Sequence, residues 1–395
     1  MKKLWTWLPL LLITDKSFAD TLDNANSFFQ LAETYYPEIV SPAGMETQEL
    51  VLVPGGQGYY YRYYAATDTY LATLGDDIFA LGPFSAYEII YGGKVRDYIS
   101  LPDTDITETI FENHRAQCSY YADRVYSQVV DITRNLPFSG QLEISVDGDF
   151  CVFRSNSIPN HDFNDGSAWF ATAVSSVDRE YRVPMETYFA PDPTPITLQF
   201  DNAILLNGVK VDLLAAACYG VADGRIGCND IEQPWRLDPM SGNNEFGTDL
   251  HNAHTQPDGT YHYHGNPNAL FDTTGQMESP VIGFAADGFP IFGSFINDNG
   301  VVRAVSSSYR LRAGSRPAGN GSPGGTYDGT YIDDYEFVAG SGDLDQCNGM
   351  MRTGVYGYYV TDSYPWLMAC FQGTPDSSFQ KSGSGGPPPP GPPPI

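Results

Sequence analysis

The sequence predicts a mainly β protein with some α, in which a small α+β module precedes an irregular β-rich C-terminal domain. Three observations carry that prediction. From Gln141 onward, short alternating runs separated by Gly and Pro turns show almost no long helical period. Ahead of them, aromatic and β-branched runs at Tyr59 to Ala65, Tyr70 to Leu74 and Ile78 to Leu81 are spaced as a meander. Only the stretches near 24–37 and 106–135 place apolar residues at helical intervals.

At the start, Lys2-Lys3, an apolar run from Leu4 to Ile13 and Ser17-Phe18-Ala19 follow the order of a cleavable export signal. Residues 1–19 are therefore expected to be removed after Ala19, with the periplasm or the extracellular space as the destination. The run is too short to span a bilayer and none of the later ones approaches the roughly 20 apolar residues a membrane helix needs, so no membrane insertion is expected.

Residues 20–100 form the small module. Phe28, Leu31, Ala32, Tyr35 and Tyr36 recur at three and four residues, which gives a short helix one apolar face, and Pro37 blocks its continuation. The three aromatic runs then make an antiparallel meander around the turns Thr67-Asp68-Thr69 and Gly75-Asp76-Asp77. Its tyrosines, Tyr59, Tyr60, Tyr61, Tyr63 and Tyr64, are either the two faces of a strand or a surface on which sugar rings stack. The segments Phe-Gln-Leu-Ala-Glu-Thr-Tyr-Tyr-Pro, Tyr-Tyr-Arg-Tyr-Tyr and Leu-Gly-Pro resemble a small accessory module of secreted bacterial proteins.

Residues 101–140 read as a helical connector, because Ile110, His114, Ala116 to Cys118, Tyr121 and Val125 lie on a loose apolar stripe. The β-rich domain follows over 141–380. The tail, 381–395, passes from Ser and Gly to runs of Pro and reads as an extended spacer.

Six cysteines, an even number in an exported chain, predict three disulfides. Pairing sequence neighbours gives Cys118 with Cys151, Cys218 with Cys228 and Cys347 with Cys370. None has the Cys-x-x-Cys spacing of a zinc or redox site. A net charge of -27 repels phosphate backbones and anionic lipid, which removes nucleic acid as a partner and leaves a small molecule or an extracellular polymer.

Four of the six histidines, His251, His254, His262 and His264, fall within fourteen residues. Asp258-Gly259 marks a turn, and Thr260-Tyr261-His262-Tyr263-His264 is a β-prone run. On a strand His262 and His264 share one face and Tyr261 and Tyr263 the other. Two imidazoles on one face, with His254 folded back by the turn as a third, form a nitrogen set suited to copper or zinc. His251 is a candidate for a fourth ligand or a supporting group. The alternative is a strand whose histidines only satisfy a polar core.

At this motif the chain resembles the YHYH domain family. The resemblance extends in order from about Ser145 to Phe379, through Ser157-Ile158-Pro159-Asn160-His161-Asp162, Leu206-Asn207-Gly208-Val209, Ala285-Ala286-Asp287-Gly288-Phe289-Pro290-Ile291 and Gly342-Asp343-Leu344-Asp345-Gln346-Cys347-Asn348-Gly349. It assigns no activity. It does suggest that His161 with Asp162, Asp287, Asp328, Asp343 and Asp345 gather near the cluster, His161 as a further ligand or a supporting group and Asp345 or Asp287 as general base if a metal-bound water were to hydrolyse a substrate. Where relatives carry Tyr in Pro-Ile-Tyr-Gly this chain has Phe292, which excludes a role for that hydroxyl. No Gly-x-Ser-x-Gly elbow, His-Glu-x-x-His helix or phosphate loop is present. Two functions follow: a secreted metal-binding protein that is an enzyme or a carrier, and a non-catalytic glycan- or envelope-binding protein with structural histidines, suggested by the aromatic share of 14%.

Overall fold

The computed structural model describes the backbone of residues 45–52, 58–64, 69–74 and 77–81, and residues 104–381 apart from 223, 225, 244–246 and 320. The expected export signal, the helix near 24–37 and the tail beyond Lys381 lie outside the described residues. The chain divides into two units, Met1–Pro102 and Asp103–Ile395.

In the first unit, β1 (Met45–Leu52), β2 (Gly58–Tyr64), β3 (Thr69–Leu74) and β4 (Asp77–Leu81) pair in sequence order as an antiparallel sheet. The last three are the expected meander. Strand β1 is additional: its polar first half, Met45-Glu46-Thr47-Gln48-Glu49, carries no apolar alternation to announce it.

The second unit opens with a five-stranded sheet in sequence order: β5 (Thr104–Asp105), β6 (Asp123–Asp131), β7 (Leu136–Asp147), β8 (Phe150–Ser155) and β9 (Arg179–Pro184). The helical connector expected over 101–140 is thus corrected to two long strands and a short one, with one 3-10 turn at Cys118–Tyr121. Burial along β6 alternates, with Ser127, Val129 and Asp131 inward. Two of those three inward residues are polar, so the alternation was invisible to an apolar count. Ile110, placed on the expected helical stripe, is exposed.

Short strands then follow: β10 (Thr194–Pro195), β11 (Ala203–Leu205), β12 (Lys210–Val211), β13 (Ala253–Thr255), β14 (Tyr261–Tyr263), β15 (Val281–Ala285) and β16 (Pro290–Phe292). The remainder are β17 (Phe295–Asp298), β18 (Val301–Ala304), β19 (Tyr309–Leu311), β20 (Tyr335–Phe337), β21 (Gly349–Arg352), β22 (Val355–Tyr359) and β23 (Cys370–Phe371). Eight of them form one mixed sheet in the order β13-β14-β12-β11-β15-β16-β22-β21. At its centre β11 and β15 bring backbones close at Gly283, where an added Cβ would sit 2.7 Å from the Ile204 carbonyl oxygen. Only glycine fits there without a shift.

Both larger sheets contribute to one core, in which Leu142, Ile144, Phe153 and Tyr181 join Ile204, Val211, Tyr261, Tyr263 and Phe284. Phe153 and Phe284 meet across it with ring centroids 6.2 Å apart. The three expected disulfides are all formed, Cys118–Cys151, Cys218–Cys228 and Cys347–Cys370. Among the described residues no helix is long and apolar enough to cross a membrane.

Candidate metal centre

The hairpin β13–β14 builds the site. The turn through Asp258 and Gly259, which has positive φ, returns the chain so that His254 lies opposite His262 in the antiparallel register. His264, just past β14, points to the same face as His262 because side chains alternate. The Nε2 atom of His264 lies 3.0 Å from that of His262 and 3.0 Å from that of His254. Among the described residues these three side chains are the one group whose ligand atoms converge in a way that could hold a metal ion. His262 and His264 are each 2% exposed, and His254 is half-buried at the rim.

The outer edges of the rings fix their protonation. His262 Nδ1 faces the Thr260 carbonyl oxygen at 3.3 Å, and the His264 ring lies near the backbone of Leu213. A His262 Nδ1 that donates to this carbonyl leaves a bare lone pair on its Nε2. Burial first, then the neighbouring imidazoles, hold both rings well below the ordinary histidine pKa. They are therefore neutral near pH 7, and the His264 Nε2, equally close to two other Nε2 atoms, can share a single proton with at most one of them. A cation resolves that conflict, and separations of about 3 Å suit nitrogens that share an ion about 2 Å from each.

Next to the triad lies a buried polar chain that sequence reasoning missed. Strand β12 runs parallel to β14 with Lys210 beside His262, and the Asp212 backbone N–H donates to the Tyr263 carbonyl at 3.0 Å. Lys210 Nζ contacts Asp201 at 2.7 Å and Gln256 at 2.8 Å. The Gln256 amide donates to Asp212 Oδ2 at 2.7 Å, and Lys381 donates to the same oxygen at 2.5 Å. Burial raises the Asp212 carboxyl above the usual range, opposed by the two lysines. Its Oδ1 is buried without a hydrogen-bond partner. The signal was the alternation Val209-Lys210-Val211-Asp212, which on pattern alone reads as a strand with its charges in water.

His161 and His251 are not brought to the triad. Their tilted rings meet each other with centroids 4.0 Å apart, on the tyrosine side of β14. His161 Nδ1 lies 2.8 Å from the Asp162 carbonyl and Nε2 lies 2.6 Å from the Tyr263 hydroxyl, so both nitrogens are engaged. His251 Nδ1 meets Asn268 Oδ1 at 2.9 Å. Their expected place as ligands is corrected: Tyr263, one position from His262, takes the opposite face and carries His161 with it.

The carboxylates expected near the cluster are likewise occupied elsewhere. Asp345 accepts from the backbones of Cys347 and Gly349 and from Tyr356 and Gln372. Asp287 accepts from the Tyr358 hydroxyl at 2.6 Å and the Gly373 backbone at 2.9 Å, and burial raises its pKa. It follows β15, which is separated from β14 by β12 and β11 in the sheet. Asp343 pairs with Arg303, and Asp328 with Arg316. Phe292 stacks on Tyr359 at 5.1 Å between centroids.

No curated protein and no solved structure matches the chain. Residues 180–373 match the family described as YHYH protein, a span that begins within β9 and ends beyond β23. The β13–β14 hairpin with its three converging imidazoles falls inside that span, and this chain carries a YHYH domain there.

Proposed function

We propose that this chain is an exported metal-binding protein whose centre takes zinc or copper on His254, His262 and His264. The observation that carries the reading is the approach of the His264 Nε2 to 3.0 Å from the Nε2 atoms of both His262 and His254, with His262 Nδ1 turned to the Thr260 carbonyl. Three imidazoles without thiolate suit zinc and copper, and a set of three leaves a coordination position for a further ligand. Three disulfides in the second unit support an oxidising destination. If the centre is hydrolytic, Asp212 supports the base role better than Asp345 or Asp287, because the parallel register of β12 and β14 sets it beside His264.

The test is metal analysis of untagged protein, followed by equilibrium dialysis against zinc and copper. About one equivalent is expected, lost in the His262→Ala/His264→Ala variant while the fold persists. Wild-type protein that takes up neither metal at micromolar concentration overturns the reading.

A further inference from the structure

The outer face of the five-stranded sheet carries a row of alternating charge. Strands β6 to β9 pair so that Arg124 lies opposite Glu143, Glu143 opposite Arg154 and Arg154 opposite Glu180. Their neighbours along the strands, Val125, Leu142, Phe153 and Tyr181, pack into the core, so alternation turns all four charges outward. Arg154 Nε meets Glu180 at 2.9 Å and its Nη1 meets Glu143 at 3.8 Å, yet these three side chains keep 39–49% of their surface exposed. Pairs so exposed contribute little to the fold of one copy, and the charges stay within reach of a second partner.

The order plus, minus, plus, minus is antisymmetric about the middle of the row. A two-fold axis parallel to the strands, between β7 and β8 and midway between two facing sheets, lays β6 of one copy over β9 of the other and β7 over β8. Arg124 then faces Glu180 and Glu143 faces Arg154, each twice by symmetry, and no like charges meet. Facing sheets stand about 10 Å apart, a gap that an arginine and a glutamate span end to end. A hollow of about 470 Å³ over the row, bordered also by Gln141 and Asn156, leaves room for the incoming side chains.

We infer that this face is a self-association surface, on which a second copy of the chain pairs through the row Arg124, Glu143, Arg154 and Glu180. A net charge of -27 makes most approaches of two copies repulsive. This row has as many cations as anions and is complementary to itself, so a second copy fits it better than a partner of one sign. The six residues of β8 and β9 set the length of the face. Four strands about 4.8 Å apart, with about 3.3 Å per residue, present roughly 400 Å² per copy. That is about half the area of a standard stable interface, which makes the pair weak and salt-sensitive.

Analytical ultracentrifugation of the untagged full chain tests this, at about 0.15 M salt and in EDTA so that no metal joins the copies. Wild type passes from monomer to dimer between about 1 and 300 μM, and about 1 M salt returns it to monomer. Two variants that keep the net charge decide whether the row is responsible. Arg154→Glu/Glu180→Arg makes it plus, minus, minus, plus, which sets like over like, and the dissociation constant rises about tenfold or more. Glu143→Arg/Arg154→Glu makes it plus, plus, minus, minus, which the same axis still matches, and the dissociation constant stays within about threefold of wild type. The second variant creates more like-charged neighbours within one copy, so damage to the fold would rank the two in the opposite order. The inference is overturned by a wild-type chain that stays monomeric through that range, by a dimer undiminished in Arg154→Glu/Glu180→Arg, or by one lost in Glu143→Arg/Arg154→Glu.

Discussion

Tyr263 and His161 are joined by a 2.6 Å hydrogen bond on the face of β14 opposite His262. The Tyr263 hydroxyl also accepts from Asn207 Nδ2 at 3.0 Å. With His161 Nδ1 donating to the Asp162 carbonyl, Nε2 is the acceptor and the phenol the donor. The two faces of one strand thus separate a structural network from the candidate ligands.

Tyr263→Phe deletes the shared hydroxyl, strands His161 Nε2 in the core and leaves the Asn207 amide only its longer bond to Asn160 Oδ1. A loss of about 1–3 kcal/mol is expected in urea unfolding. Metal stoichiometry should stay at the wild-type value, because the phenol lies on the far face. Loss of metal in a folded Tyr263→Phe protein would place the tyrosine among the ligands.

His161 also makes a pH prediction. Burial, reinforced by His251, pushes its imidazole down to about 3. In the unfolded chain it takes a proton below about 6.5 and in the folded chain only near 3, so the unfolded state binds more protons between those values. Stability is therefore undiminished above about pH 6.5 and falls as pH drops toward 3, by up to about 1.4 kcal/mol per unit from this one residue. His161→Gln should flatten the slope of unfolding free energy between pH 6 and 4 by that amount. An unchanged slope would show that the ring is not kept neutral.

Much of the site was legible in the sequence because its geometry is local. The period of two in Thr260 to His264 set the faces, and the turn at Gly259 returned His254 to its partner. The disulfides were legible for the same reason, since each joins neighbours along the chain. His251 was misassigned although the same period applies to it: three residues before His254, it alternates to the opposite, tyrosine face, where its ring meets His161. Strand β6 and the pair Lys210 and Asp212 were missed on one physical ground: their inward positions hold polar residues that find partners only in three dimensions. An apolar count assigns such positions to solvent.

Lys210→Met examines that buried chain. Lys210 is 3% exposed and pairs with Asp201, whose other oxygen accepts from the Tyr181 hydroxyl at 2.9 Å. Removing the cation leaves Asp201 buried beside a more distant Lys381 at 3.8 Å. A loss of about 3–5 kcal/mol is expected in chemical unfolding. Metal affinity should rise, since a positive charge next to His262 opposes a second cation. Weaker metal binding in a folded variant would mean that the lysine supports the centre and does not oppose it.

The disulfides offer a graded test of how the second unit is tied. The bridges close segments with sequence separations of 33, 23 and 10 residues, for Cys118–Cys151, Cys347–Cys370 and Cys218–Cys228. Constraint of the unfolded chain grows with the logarithm of loop length, which ranks their contributions in that order, from about 4 down to about 3 kcal/mol. The first also fastens the turn ahead of β6 to β8, and Cys151 and Cys347 are fully buried, so neither sulfur can be replaced by water. Pairwise Cys→Ala variants unfolded in urea should lose stability in the order 118–151, 347–370, 218–228. If removing the Cys218–Cys228 bridge proves the most damaging, loop closure is not what these bonds contribute, and the segment around the fully buried Arg236, which donates to the carbonyls of Ala215 and Cys228, is where the second unit is weakest.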